Sequence, residues 1–272
     1  MAAKLPFNRS ELVMTDFQPY LSTAIDAAKQ AGELLMSYLG KVQAKEKQPR
    51  DLVTQADIES QALIKSILLE AFPEHGFLGE EGDESDVDAE FCWIVDPLDG
   101  TTNFVYQLPT FAVSIGLRYG ADVVLGVIYD PLGKECFSAV KGKGAFMNGE
   151  SIRTGECNDI EKSLLVCSFP SRVERDSIEV QRFLNVLTKS TVRRMGSAAI
   201  NCCYVACGRL DGYWATNLSV WDVAAGVVIA REAGASVTDL TGESFDLNAP
   251  RFVMAGTEAL HQQLLEQMTV VE

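Results

Sequence analysis

The chain has little positive charge and almost no histidine. Its 272 residues carry 23 lysines and arginines against 38 aspartates and glutamates, a formal charge of −15, and two histidines, His75 and His261. Such a deficit argues against binding nucleic acid or an anionic membrane through a generally basic face. No uninterrupted apolar run reaches the ~18 residues of a membrane span. Residues 1–10 lack the apolar core that a secretory signal needs. No linker rich in proline, glycine or serine, no internal repeat and no low-complexity tract divides the chain. It reads as one domain over 1–272, in two tightly packed halves at roughly 1–150 and 151–272. The seven cysteines are an odd count, and Cys92, Cys136, Cys167, Cys202, Cys203 and Cys207 lie in apolar runs. They read as reduced core thiols of a cytoplasmic protein. Cys202, Cys203 and Cys207 have no histidine partner, so no zinc site is expected there. The two histidines, one beside Pro73-Glu74 and one in the last helical stretch, are expected at the surface.

What is present is patterned for a globular fold, with 47% hydrophobic and 22% charged residues. Leu21, Ala24, Ile25, Ala28, Ala31, Leu35 and Tyr38 form a helical stripe that Gly40 stops. Residues 41–50 hold four basic residues and one glutamate and read as a mobile loop. Thr54 is placed to cap a second helix, with Asp57 at the reciprocal capping-box position and Pro73 beyond its end. Strand-like runs follow at 91–95, 111–119, 123–129 and 136–140. Their turns are Tyr119-Gly120, Asp130-Pro131-Leu132-Gly133 and Asn148-Gly149, a succession that predicts consecutive antiparallel pairing. The second half predicts strands at 163–167, 211–214, 235–238 and 252–255. It predicts helices at 176–189, 197–207 and 221–233, and a last helix capped by Thr257. Without a regular βαβ period, a layered α/β architecture is expected rather than a Rossmann sheet or a barrel.

Four acidic clusters carry the chemistry: Asp51…Thr54…Asp57, Gly79-Glu80-Glu81-Gly82, Asp96-Pro97-Leu98-Asp99-Gly100-Thr101-Thr102, and Trp221-Asp222. Each has an ordinary reading taken alone. Asp57 caps a helix, Glu80 and Glu81 open an acidic loop, Pro97, Asp99 and Gly100 punctuate a strand, and Asp222 favours a helix dipole. Together they offer hard oxygen ligands at the edges of strands and helices, beside backbone N–H groups and a hydroxyl that suit a phosphate.

The run Trp93-Ile94-Val95-Asp96-Pro97-Leu98-Asp99-Gly100-Thr101-Thr102-Asn103-Phe104, together with Gly79-Glu80-Glu81 and Trp221-Asp222-Val223-Ala224-Ala225-Gly226, resembles the three metal-binding signatures of the inositol monophosphatase family, in the family's order. Asp51-Leu52-Val53-Thr54-Gln55-Ala56-Asp57 resembles its upstream Thr-x-x-Asp element. Residues 142–149 and 196–201 fit its intervening segments. The similarity runs from about Leu21 to the last residues.

This resemblance implies an α-β-α-β-α sandwich of the inositol monophosphatase and fructose-1,6-bisphosphatase type, commonly a homodimer and lithium-sensitive. It implies two or three Mg²⁺, held by Glu80, Asp96, the carbonyl of Leu98, Asp99 and Asp222, with Asp96 bridging. Thr101 and Glu80 would orient and deprotonate the attacking water, with Asp57 in support. Asp99, Gly100, Thr101, Thr102, Gly196, Ser197, Ala198 and the Ala215 position would face phosphate and substrate. The implied activity is hydrolysis of inositol monophosphate or a related polyol phosphate to the alcohol and inorganic phosphate, without a covalent phosphoenzyme.

One position departs from the pattern. Ala215 stands where family members that act on inositol phosphate carry a glutamate for the ring hydroxyls, and a methyl group accepts no hydrogen bond. Fructose 1,6-bisphosphate, histidinol phosphate and 3′-phosphoadenosine 5′-phosphate therefore stay open as substrates. A non-catalytic binding role is the remote alternative: it would predict damage to the metal set, and Glu80, Asp96, Asp99, Thr101 and Asp222 are all present. Arg193 and Arg194 read either as contacts for an anionic leaving group or as solvated strand-edge charges. Lys45 and Lys47 fall where a family loop brings a basic residue toward the metals.

Overall fold

Helix α1 (Gln18–Tyr38) buries Ala24, Ala27, Ala28, Ala31, Gly32 and Leu35, a stripe at three- and four-residue spacing. Its small residues let it lie close on a sheet: a Cβ on Gly32 would sit 2.6 Å from the ring of Tyr129. The computed structural model describes residues 16–48, 51–170 and 172–269; residues 1–10, read above for a signal, lie outside them. Among the described residues no helix is long and apolar enough to cross a membrane.

Strand β1 (Lys45–Gln48) pairs antiparallel with β2 (Asp51–Val53). This corrects the expectation of a mobile loop over 41–50. Lys45 and Glu46 are both exposed, so the ribbon leaves no apolar alternation to read. Helix α2 (Gln55–Ala71) follows with the expected capping box at Thr54 and Asp57.

Seven strands then pair in chain order: β3 (Gly76–Gly79), β4 (Phe91–Asp99), β5 (Ala112–Tyr119), β6 (Asp122–Asp130), β7 (Glu135–Val140), β8 (Ala145–Met147) and β9 (Glu150–Ile152). Only the β3–β4 pair is parallel. Between β4 and β5 lies the short helix α3 (Thr101–Val105). The second half supplies β10 (Leu164–Ser168), helix α4 (Ile178–Leu187), β11 (Thr191–Arg193), helix α5 (Ala198–Ala206), β12 (Gly212–Ala215), helix α6 (Val220–Glu232), β13 (Ser236–Thr238), β14 (Phe252–Ala255) and helix α7 (Glu258–Met268). Its five strands lie in the order β11-β10-β12-β14-β13. β10, β11 and β12 are parallel, and β14 is antiparallel to both its neighbours.

Strand alternation assigns the layers. Val113, Ile115 and Leu117 of β5 pack with α1 and α2 on one face of the first sheet. Ile128, Phe137 and Ala139 on its other face pack with α5 and α6, which also cover Val166, Tyr213, Phe252 and Met254 of the second sheet. Leu165, Cys167, Trp214, Val253 and Ala255 face outward to α4 and α7. The result is the α-β-α-β-α sandwich. Both sheets are covered on both faces, which is why their strands read as continuous apolar runs.

The two histidines are buried, not at the surface. His75 is stacked between Phe91, 4.9 Å away, and Phe72, 5.1 Å away, and desolvation lowers its pKa to about 4. His261 faces β13, its Nε2 3.1 Å from Thr238 Oγ1. Phe91 and Tyr20 around His75, and Thr238 beside His261, come from elements distant in sequence.

Candidate active site

The acidic centre begins with a fault in a strand. In regular β structure, Asp96 and Asp99 would point to opposite faces, being three residues apart. Here Asp96 pairs with Ser114 and Asp99 with Ala112, so β4 holds one residue more than β5 across that interval. The bulge resets the alternation and turns both carboxylates to the side of α5 and α6. Val95 and Leu98 stay in the opposite core.

Two helix starts bring the other acids. Asp222, in the first turn of α6, accepts the Ser219 N–H at 2.7 Å on Oδ2. Asp57 accepts the Thr54 N–H at 2.8 Å and the Thr54 hydroxyl at 2.6 Å, both on Oδ2. Capping occupies one oxygen of each. The other oxygen of Asp57 lies 3.1 Å from Thr101 Oγ1, which is also 3.1 Å from the carbonyl of Leu98.

Ligand atoms of Asp96, Asp99 and Asp222 all lie within 4.8 Å of one another. Burial and the charges of Glu80, Asp99 and Asp222 raise the pKa of Asp96. Burial, then Asp99 and Glu80, push Asp222 up to about 8. Asp99 rises to about 6 through burial, against the opposing effect of its hydrogen bonds. Those bonds come from the start of α5: Ala199 N–H at 2.8 Å, Ala198 N–H at 3.2 Å and the Ser197 hydroxyl. Burial also raises Asp57, although Thr54 and Thr101 donate to it. Among the described residues no lysine or arginine forms an ion pair with Asp96, Asp99 or Asp222. Clustered, desolvated carboxylate oxygens with no cationic partner are a donor set for a hard divalent cation.

Comparison with known proteins gives this centre a context. The model of the inositol monophosphatase family matches residues 16–271. The chain belongs to the inositol monophosphatase family. It is 42% identical to a Synechocystis protein named inositol-1-monophosphatase, over 93% of this chain and 90% of that protein. It is 39% identical to a Vibrio cholerae protein named Nus factor SuhB, over 91% of this chain and 96% of that one. The crystal structure of extragenic suppressor protein suhB from Bartonella henselae superposes with a TM-score of 0.88 at 36% identity, covering 92% of this chain and 98% of that one. Membership of the inositol monophosphatase family supports a phosphatase acting on a phosphorylated substrate, and the family is generally metal-dependent.

The other residues singled out from the sequence are placed as follows. Glu80 begins the loop after β3, its N–H donating to Val95 O at 3.2 Å, and its charge is felt at Asp96 and Asp222. Gly100 takes φ +91° between β4 and α3, and Thr102 is exposed in the first turn of α3. Gly196 is exposed at φ +82°, while Ser197 and Ala198 are buried and directed at Asp99. Ala215 is 0% exposed at the end of β12, paired with Ser168 and Phe252, with its methyl in the middle layer. Arg193 is exposed, and Arg194 lies over the Phe169 ring at 4.9 Å. Lys45 is exposed on β1; the Lys47 side chain lies outside the described residues.

Two supporting residues have contacts that only the fold reveals. Asn103 Nδ2 donates to Thr110 O at 2.6 Å and to Met195 O at 2.7 Å, joining the loop before β5 to the loop before α5. Ser60 Oγ donates to Pro97 O at 3.0 Å, inside the bulge. Its helical spacing of three from Asp57 was the one available clue.

Proposed function

We propose that the chain is a Mg²⁺-dependent phosphomonoesterase that releases inorganic phosphate from inositol monophosphate or a related polyol phosphate. The observation that carries this reading is the convergence of Asp96, Asp99 and Asp222 within 4.8 Å beside the Asp57–Thr101 pair. Glu80, Asp96, the Leu98 carbonyl, Asp99 and Asp222 would hold the cations. Bound Mg²⁺ supplies positive charge to the phosphate oxygens and lowers the pKa of water.

The remaining work falls to the chain itself. The Thr101 hydroxyl, donating to Asp57 Oδ1, keeps a lone pair for the attacking water and orients it. Glu80 takes up the water proton. The first internal acceptor bond of α3 is Phe104 N–H to Gly100 O at 3.0 Å, so the amides ahead of it have no acceptor within the helix and suit a phosphate oxygen. Ala215 offers ring hydroxyls nothing, so fructose 1,6-bisphosphate, histidinol phosphate and 3′-phosphoadenosine 5′-phosphate belong in any test. Phosphate release over that panel, with Mg²⁺ and with EDTA, checks the reading. Turnover that EDTA leaves unchanged would overturn it.

The 39% identity to a protein named as a Nus factor supports a second role that does not depend on catalysis. An Asp99→Asn variant that loses turnover yet complements a deletion of the gene would favour that role. The homodimer and the cytoplasmic setting implied by the family are part of the same proposal, and sedimentation of the purified protein tests the former.

A further inference from the structure

One face of α2 touches the bulge of β4, the start of α3 and the loop that begins at Glu80. Asp57, Ser60, Gln61 and Lys65 follow at helical spacings of three and four and share that face. Asp57 meets Thr101, and Ser60 meets the Pro97 carbonyl. Gln61 and Lys65 meet the third segment, the loop that starts at Glu80. The Gln61 side chain is 4% exposed, and both ends of its amide are used. Oε1 accepts the Glu81 N–H at 2.9 Å, and Nε2 donates to Gly82 O at 2.7 Å. Lys65 Nζ donates to Asp83 O at 2.6 Å and pairs with Asp83 Oδ2 at 2.8 Å.

The loop needs such support. Gly82 and Asp83 are successive residues at positive φ, +77° and +59°, and the second is not a glycine. The fit is also close, since a Cβ on Gly79 would lie 2.3 Å from Gln61 Oε1. An apolar side chain of the same length would fill the space but leave the Glu81 N–H and the Gly82 carbonyl without this partner.

We infer that Gln61 is a positioning residue for the metal centre, holding the Glu80–Gly82 backbone so that Glu80 faces Asp96 and Asp222, with Lys65 as a weaker latch on the same loop. This rests on the proposed Mg²⁺-dependent function. Its test does not need turnover. Titration of the apo protein with Mg²⁺ by calorimetry compares wild type, Gln61→Met, Lys65→Met and a control, Ser163→Ala. The control removes a buried hydrogen bond (to Ile160 O, 2.7 Å) just before β10 in the second sheet. Gln61→Met is expected to weaken Mg²⁺ binding about 10-fold or more. Lys65→Met should weaken it less, and Ser163→Ala should leave it unchanged at a comparable loss of thermal stability. The Mg²⁺ concentration for half-maximal turnover should rise in parallel, with kcat at saturating Mg²⁺ largely restored. Mg²⁺ affinity in Gln61→Met within about twofold of wild type would overturn the inference and leave the proposed function standing. A wild-type protein that binds no Mg²⁺ would overturn both.

Discussion

The carboxylate of Asp99 accepts the Ala199 N–H at 2.8 Å, joining residues 100 apart in sequence. The same carboxylate ends the bulged strand of the first half and caps the first turn of a helix in the second. The acidic centre and the packing of α5 against the first sheet are therefore one structure, and changes at Asp99 act on both.

Asp99→Asn should lower kcat/KM by roughly 10²-fold or more, since the proposed function rests on cation charge that this carboxylate would help to hold. It should also destabilise the fold by about 1–3 kcal/mol, because an NH₂ group would oppose N–H and O–H donors. Steady-state kinetics and denaturant unfolding measure the two effects separately.

Thr101→Val keeps the shape and removes the hydroxyl between Asp57 and Leu98. A fall in kcat of about 10² or more is expected, with Mg²⁺ affinity changed little, because the proposed role of the side chain is to orient water and not to hold the cation. Thr101→Ser should recover most of the activity. An equal loss in the serine variant would point to packing.

Gly126→Ala tests how the sheet sets the position of Asp222. A Cβ there would lie 2.5 Å from the carbonyl oxygen of Ala225 and 2.9 Å from its Cα, so α6 must move away from the sheet. A loss of about 1–3 kcal/mol is expected in denaturant unfolding, with weaker Mg²⁺ binding as Asp222 shifts.

The pH dependence of stability should weaken with Mg²⁺. Asp222 and Asp99 have folded pKa values of about 8 and about 6, above the ordinary carboxylate value of ~3.9. Between about pH 4 and 8 the metal-free native state holds protons that the unfolded chain has released, so these groups make stability fall as pH rises. Mg²⁺ binds the deprotonated set, so its stabilising effect should grow over the same range. Thermal unfolding in EDTA and in Mg²⁺ at several pH values should show the two melting temperatures moving apart as pH increases.

The apolar stripe of α1, the capping box of α2 and the meander from β4 to β7 were legible because local periodicity, capping and turn residues carry that information. The hairpin of β1 and β2 was not, since a solvated ribbon has no apolar face to betray it. Burial of His75 was hidden for a related reason: part of its cover comes from Tyr20 on α1 and Phe91 on β4, which are distant in sequence.

By itself the sequence determined the family, the layered class and the identity of the acids, because fixed spacing and residue chemistry are local properties. Tertiary structure alone decided that Asp96 and Asp99 share a face, since that depends on one extra residue in β4 relative to a strand it meets later. It alone decided that Ser197 and Ala198 serve Asp99, and that Gln61 holds the backbone beside Glu80. These are contacts between distant segments, and only packing of the two sheets around α5 and α6 brings the segments together.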